Sequence, residues 1–540
     1  MKSTSERWYN TPIAGLIGHI RLNYLPPLMV YLASGISGLT AIVGTFFVKD
    51  YLGLSAEFLA GLGFWAMMPW SLKLPIGHLV DLIWRFKGYL VVLGACLIAA
   101  SLLIMFGLLH DRSVMESILP INVWYVISAL MAPIGYVVQD VVADAMTVEA
   151  IPAVDDQGRR QTEAELRLQH ATMQTLGRIA VVGGTLLVAL VNVLMFAGVE
   201  QMGEGERIAI YECLYLMALC IPLISCSGVV LAGVLRKRQQ RRLWEQGYTR
   251  SEVDAMTRIH GEKTQPNWWI LGGGLAYALV AITVGMTGFT YAQESIFLLS
   301  ILIILTLMHR LSFEMEPDAR SVLTGTAVLI FFFRAIPSPG PGSSWWMIDV
   351  LGFDQSFMAR LSMIGSVLSL TGLFLFRRLM AERSIAWIIA LLTLTGTLLS
   401  LPTLGMYYGL HQWTAALTGG VVDARFIAVI DTALESPLGQ IAMVPMLAWI
   451  AHSSPPHLKA TFFAVMASFT NLSLAFGQLG TKYINEAYHV TREVKNAAGQ
   501  ITVPADYSQL GHLLLTSITL GLVIPLTAIA IVRWLKWRSV

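Results

Sequence analysis

Long apolar runs punctuate this chain, and their length constrains its fold more than any other feature. Runs bounded by charges, proline or glycine fall at residues 27–49, 58–80, 88–109, 120–145, 170–198 and 208–235, then at 268–290 and 295–311, and finally at 320–340, 356–380, 384–410, 424–451, 457–486 and 511–535. A bilayer core takes roughly 20 apolar residues of helix per crossing, so fourteen crossings consume about 280 residues. That demand matches a 540-residue chain that is 55% hydrophobic and only 13% charged, with a mean hydropathy of +0.64. The balance excludes a soluble cytosolic enzyme and points to an all-α, multi-pass membrane protein. Lys plus Arg number 36 against 34 Asp plus Glu, so no basic excess argues for a nucleic-acid partner.

The order six, two, six implies an N-terminal six-helix bundle over 1–235, a basic cytoplasmic linker over 236–267, two additional helices over 268–318 and a second six-helix bundle over 319–540. Cytoplasmic loops are enriched in Lys and Arg; alternating sides from a cytoplasmic N-terminus puts about 25 of the 36 inside and leaves only Lys49, Arg112, Arg207, Arg492 and Lys495 in outer loops. Both termini are therefore expected in the cytoplasm, with the protein in the cytoplasmic (inner) membrane. The linker opens RKRQQRR and reads as an anchor along the membrane surface. The first residues, interrupted by Arg21 and the Pro26–Pro27 pair, read as a partly amphipathic lead-in rather than a cleaved signal. Cys96, Cys213, Cys220 and Cys226 lie in apolar runs without metal spacing and read as packing residues.

The two six-run blocks look like repeats. The fifth run of the first block reads RLQHATMQTLGRIAVVGG from Arg167 and its counterpart KATFFAVMASFTNLSLAFG from Lys459; each starts with a cation, continues with small residues and reaches glycine. Two pseudo-symmetric six-helix bundles around a central cavity are the architecture of the major facilitator superfamily. GHLVD at Gly77–Asp81, followed by Arg85 and Lys87, resembles that superfamily's signature between its second and third spans. Gly77 would permit close helix contact, and Asp81 would accept from a neighbouring helix N-terminus or pair with Arg85, latching one face shut. Three stretches together resemble the folate-biopterin transporter family, a branch of the superfamily: MPWSLKLPIGHLVD from Met68, QDVVADAMTVEA from Gln139 and VPMLAWIAHSSPPHLKATFFAVMASFTNLSLAFG from Val444, with weaker support from LGFDQSFMARLSMIGSVLSLTG at Leu351.

Charge inside a span costs roughly 2.5–3.5 kcal/mol per residue on insertion scales, so each such group is a candidate for function. Asp140 and Asp144 are four apart, on one helix face, with Gln139 adjoining. Lys73 sits mid-run between Trp70 and Pro75, and Gln174 and Arg178 share a face of the fifth run. Arg334 follows the aromatic run Phe331–Phe333, and Asp431 and Glu435 repeat the acidic pair in the second block. Their bland alternative is mutual neutralisation between helices. His309, His411, His452 and His457 fall near run ends and read as interfacial. No nucleotide-binding loop or hydrolase signature occurs in a fitting context.

The expectation is a secondary transporter working by alternating access, not an enzyme, without a cofactor and driven by a proton or other ion gradient. A buried Asp can couple proton loading to the rocking of the two bundles, so uptake by symport is the expected mode, by a monomer in a lipid bilayer, and the family resemblance implies a pterin, a folate or another small conjugated solute. A carboxylate such as Asp140 can accept two parallel N–H donors from a pterin edge, while an anionic tail would seek Lys73, Arg178 or Arg334. Two alternatives stand beside it. A fourteen-helix proton-coupled exporter of amphipathic compounds would carry a Gly-Pro kink that LGRIAVVGG in the fifth run lacks. A non-transporting assembly factor or receptor would have little reason to keep so many buried charges.

Overall fold

The structure, a computed structural model, describes residues 21–52, 54–151, 163–249, 252–253, 266–313, 317–376, 379, 383–439, 441, 459–495 and 501–537. Helix occupies some part of every apolar run. The first run holds α1 (Leu25–Ile36) and α2 (Ala41–Tyr51); the second holds α3 (Ala56–Met67) and α4 (Lys73–Leu82), joined through a 3-10 segment, Met68–Leu72. Next come α5 (Lys87–His110), the short α6 (Arg112–Ile118), α7 (Ile121–Glu149), α8 (Glu163–Met195), α9 (Glu204–Ala218) and α10 (Cys220–Glu245). The central pair is α11 (Trp268–Met286) and α12 (Ala292–Ser312). The last block holds α13 (Pro317–Arg334), α14 (Pro341–Asp349), α15 (Gln355–Leu375), α16 (Ile385–Tyr407), α17 (Leu410–Leu417), α18 (Ala424–Glu435) and α19 (Lys459–Ala487). A hairpin of β1 (Val494–Lys495) and β2 (Ile501–Val503) then precedes α20 (Leu510–Trp534). Among the described residues, nine helical stretches are long and apolar enough to cross a membrane.

Glycine sets how closely the first-half helices pack. A Cβ on Gly35 in α1 would lie 2.2 Å from the Val181 carbonyl oxygen of α8, and one on Gly94 in α5 would lie 2.6 Å from the Gly135 carbonyl oxygen of α7. Backbones approach this closely only where side chains are missing. The two halves meet along α3 with α19 and α8 with α15. α11 rests on α4, and α12 covers α19 and α3 beside that first seam. Tyr277 is the buried residue of α11; its hydroxyl lies 2.6 Å from the Ser300 hydroxyl of α12. Trp268 and Trp269, by contrast, are largely exposed. The central pair thus sits on the outside of the seam. Phe331 packs its ring 5.1 Å from Phe469 and 6.0 Å from Phe476 of α19, so the aromatic run contributes to the core there, while Phe332 is exposed.

Three features depart from the sequence reading. The boundary at 235 falls inside α10, which continues to Glu245; the basic run is rich in good helix formers, and Arg241 reaches Glu245 at 3.5 Å one turn on. Cys96, Cys213 and Cys220 are exposed rather than packed, and all four cysteines are free. The β1–β2 hairpin was not anticipated. His452, His457 and the start of the chain lie outside the described residues.

The polar contacts at the two ends of the bundle differ. At the end carrying Lys49, the halves are tied to each other: Lys49 Nζ to Asp349 at 2.6 Å, Gln355 Nε2 to the Tyr211 hydroxyl at 2.6 Å, Arg492 Nη1 to the Leu54 carbonyl at 3.1 Å and Arg425 to Glu200 at 3.5 Å. At the opposite end, Lys87 pairs with Glu149 at 2.6 Å and Arg236 lies 3.6 Å from the same carboxylate, all within the first half.

Two glycines with opposite surroundings test this packing. Gly35→Val should lower the melting temperature of the purified protein sharply, since overpacking typically costs about 1–3 kcal/mol and backbone cannot yield as a side chain does. Gly77→Ala should leave it unchanged, because its nearest neighbour, a Val141 methyl, stands at an ordinary 3.9 Å. Equal melting of both variants would contradict the assignment of the tight crossing.

Candidate functional site

The site begins with a break in a helix. Pro69 cannot donate to the ladder and Pro75 follows six residues later, so the second run kinks through Met68–Leu72 and restarts at Lys73. This restart points Lys73 at α7. Its ammonium lies 2.6 Å from Asp140 and 2.9 Å from Asp144. The two carboxylates sit one helical turn apart, so one lysine spans both. The Tyr31 hydroxyl of α1 donates to the second oxygen of Asp144 at 2.8 Å. Tyr31 can lean on α8 because Gly177 leaves room: a Cβ there would meet its ring at 3.0 Å. Arg178, the next residue, is close enough to feel the charge of Asp140 and of Tyr31. Four helical elements of the first half thus converge on one ionic cluster.

Exposure is graded across it. The side chains of Lys73 and Asp140 are 15% and 21% exposed, and that of Asp144 is 41% exposed. Asp144 therefore forms the open edge of the cluster. From the second half, Arg334 at the end of α13 lies within electrostatic reach of Arg178. Like charges held near one another in a low-dielectric setting favour an anion between them.

The other candidates are distributed differently. Gln139 does not join the cluster, although it adjoins Asp140. It is buried, its amide nitrogen donates to the Val91 carbonyl of α5 at 3.2 Å, and its amide oxygen accepts from Ser225 of α10 at 3.0 Å. The roughly 100° turn per helical residue carries it to another face, where it fastens α7 to its neighbours. Trp70 is half-buried on the 3-10 segment, three residues before Lys73. The Gln174 side chain lies outside the described residues, as does that of Arg85. Gly77 is not needed for close helix contact, since only Val141 stands near it. Asp81 is partly exposed near the end of α4. Asp431 of α18 is half-buried and has Glu435 as its charged neighbour. Glu435 itself is exposed. The second acidic pair is thus held among second-half helices, apart from Lys73, whose ion pairs are with Asp140 and Asp144.

Sequence reasoning missed Tyr31 and Glu149 and named Lys87 only as part of a basic loop. Tyr31 carries no charge, and nothing in its helical context marks it. Glu149 lies within the QDVVADAMTVEA stretch, five residues after Asp144, and Lys87 within the basic turn after GHLVD; their 2.6 Å pair closes the far end of α7 onto α5. A search for charge at helix ends would have found both.

The BT1 family matches residues 268–535. A folate-biopterin transporter from Synechocystis sp. is 24% identical over 450 residues, covering 83% of this chain and 71% of that one. Among solved structures, a POT family transporter in complex with 5-aminolevulinic acid superposes with a TM-score of 0.56 at 11% identity, covering 95% of this chain and 96% of that one. A peptide transporter POT in complex with sulfate gives the same TM-score at 15% identity, covering 97% and 96%. The structural likeness establishes an all-helical transporter fold of the major facilitator type. Together with it, the family match over residues 268–535 and the curated relative support a member of the folate-biopterin transporter (BT1) family, a multi-pass membrane transporter rather than an enzyme.

Proposed function

We propose that this protein moves a pterin- or folate-like solute, or another small conjugated organic anion, by alternating access coupled to a proton gradient. The observation that carries the reading is the single Lys73 ammonium shared by Asp140 and Asp144, beside Arg178 and facing Arg334 of the other half. Two carboxylates sharing one ammonium can exchange partners: when one takes a proton, the lysine stays with the other, and the released acid is free to contact a solute. The guanidinium groups of Arg178 and Arg334 suit a carboxylate-bearing tail, and a freed carboxylate suits the paired N–H donors of a pterin edge. A solute that touches Arg178 and Arg334 together would draw the halves onto itself, which is the event alternating access requires. The relative from Synechocystis sp. bears the name folate-biopterin transporter, which supports that solute class.

The domain plan and orientation belong to the same reading. Two six-helix bundles flank the central pair, in a monomer, with the Lys87 end, the basic linker and both termini in the cytoplasm of an inner membrane. The Lys and Arg asymmetry among loops supports this orientation.

Coupling is tested at Asp140. In proteoliposomes, Asp140→Asn should abolish gradient-driven accumulation of a folate or pterin and keep some exchange, because the amide retains the shape but cannot load a proton. Asp144→Asn should do less, because Asp144 lies at the open edge of the cluster and Asp140 keeps Lys73 paired. Full accumulation by the Asp140 variant would move coupling elsewhere, with Asp431 next to test. The direction of proton movement on adding solute distinguishes uptake from export.

Solute charge is tested at the cations. Arg334→Gln and Lys73→Gln should each weaken an anionic folate by roughly tenfold or more while leaving a neutral pterin nearly unchanged. Thermal shift of the purified protein reads this, because stabilisation follows binding by mass action. Equal losses for both ligands would mean that these cations only hold the fold.

A further inference from the structure

At the Lys49 end, a small hairpin reaches over the junction between the halves. Thr491 and Asp506 exchange backbone hydrogen bonds at 3.0 and 2.9 Å, and the Thr491 hydroxyl donates to the Pro504 carbonyl at 3.0 Å, so the hairpin has a fixed base. Each strand extends one further residue from that base to a contact. On one side Arg492 donates to the Leu54 carbonyl at 3.1 Å and lays its guanidinium 4.6 Å from the Trp345 ring centre. On the other, the Tyr507 hydroxyl donates to Asp349 at 2.5 Å, and the remaining Asp349 oxygen pairs with Lys49 at 2.6 Å. Leu54 and Lys49 belong to the first half; Trp345, Asp349 and the hairpin belong to the second. The Tyr407 hydroxyl of α16 holds the Tyr507 and Ser508 carbonyls at 3.0 and 2.9 Å, which anchors the hairpin to its own half.

We propose that the base of this hairpin is a releasable strap that holds the outer face of the transporter closed, with Arg492 and Asp349 as its two catches. The proposal rests on the alternating-access reading and its orientation, and it adds to them the device that sets the resting state. Releasability follows from incomplete satisfaction. Arg492 is 3% exposed, yet its Nε and Nη2 find no hydrogen-bond partner among the described residues. A buried guanidinium with donors unused is costly, and swinging the base outward returns those donors to water. That gain offsets the loss of the Lys49–Asp349 pair and the Arg492–Leu54 bond, so the closed and open arrangements lie near one another in free energy. A joint built wholly of apolar packing would have no such compensation.

Accessibility from outside reads the strap without any solute. With Cys96, Cys213, Cys220 and Cys226 replaced by alanine, a single cysteine is introduced by Ala359→Cys; Ala359 is a fully buried position of α15 within the first-half core. A membrane-impermeant maleimide added to the outer side should label this protein slowly. Asp349→Asn and Arg492→Gln in that background should each speed labelling by about tenfold, a population shift of ordinary size for a conformational coupling. Tyr507→Phe, which removes one hydrogen bond and no charge, should speed it less and decides the matter if either charge variant fails to fold. Unchanged labelling in the folded variants would overturn the strap. Faster labelling without solute uptake by the parent protein would instead keep the strap and sink the transport reading.

Discussion

A lysine inside an apolar helix bundle must have a carboxylate within reach, and Lys73 has two. Moving an ammonium from water into such an environment costs several kcal/mol even after relaxation, and only close pairing with satisfied partners recovers it. The surrounding construction follows from that requirement. Prolines at 69 and 75 break the second run so that the lysine can turn toward α7. Asp140 and Asp144 are spaced one turn apart to meet it. Tyr31 takes up the remaining oxygen of Asp144, and Gly177 makes room for the Tyr31 ring. Gly94 and Gly135 bring α5 and α7 together, and Gln139 fastens the back of α7 to α5 and α10, so the face bearing the aspartates is held in place from behind.

How much of this was legible in the sequence depends on the kind of signal each residue leaves. The helices were legible because the bilayer demands about 20 apolar residues at a time, a signal averaged over whole runs. Lys73, Asp140 and Asp144 were legible as rare charges in such runs, and the four-residue spacing placed the two acids on one face. Tyr31 was not, because an aromatic in an apolar helix looks the same whether it packs or donates. Gln139 was misread for the opposite reason: adjacency in sequence suggested adjacency in space, while one residue of helix turns the side chain to another face. The Gly77 reading assumed that a glycine in a helix marks a close crossing, whereas the tight crossings are at Gly35 and Gly94, in runs with nothing else to distinguish them. The hairpin at 494–503 left too short a pattern of alternation to register against the apolar runs on either side.

The repeat in the sequence is less symmetric in its chemistry than in its helices. Both blocks carry an acidic pair four residues apart in the fourth run, yet among the described residues the ion pairs that bridge such a pair are those of Lys73 with the first. Asp431 is half-buried beside Glu435, and Glu435 is exposed. Meanwhile the second half contributes Arg334 toward Arg178. One half therefore brings a nearly neutral, exchangeable ionic cluster, and the other brings positive charge. Under the proposed function, these unlike surroundings would orient a solute, with its hydrogen-bonding edge toward the carboxylates and its anionic part toward the guanidinium groups.

Among the described residues, the named polar contacts at the two ends of the bundle differ in the partners they join. At the Lys87 end, Lys87, Glu149 and Arg236 tie α5, α7 and α10 into a single body. At the Lys49 end, Lys49–Asp349, Gln355–Tyr211, Arg492–Leu54 and Arg425–Glu200 each connect one half to the other. Contacts of the first kind stiffen a half and are indifferent to its motion against the other. Contacts of the second kind must break for the halves to part at that end. A single hydrogen bond or ion pair contributes a net stability on the order of 1 kcal/mol, small against the whole interface. Several of them together can therefore hold one arrangement without making the other unreachable. The Tyr507 phenol, pushed above its ordinary range by burial and by its bond to Asp349, remains a donor at any physiological pH, so this part of the junction does not titrate away. What opens it has to be a change in the balance between the halves, and the ionic cluster around Lys73, which reaches from one half toward Arg334 of the other, is placed where a bound solute would make that change.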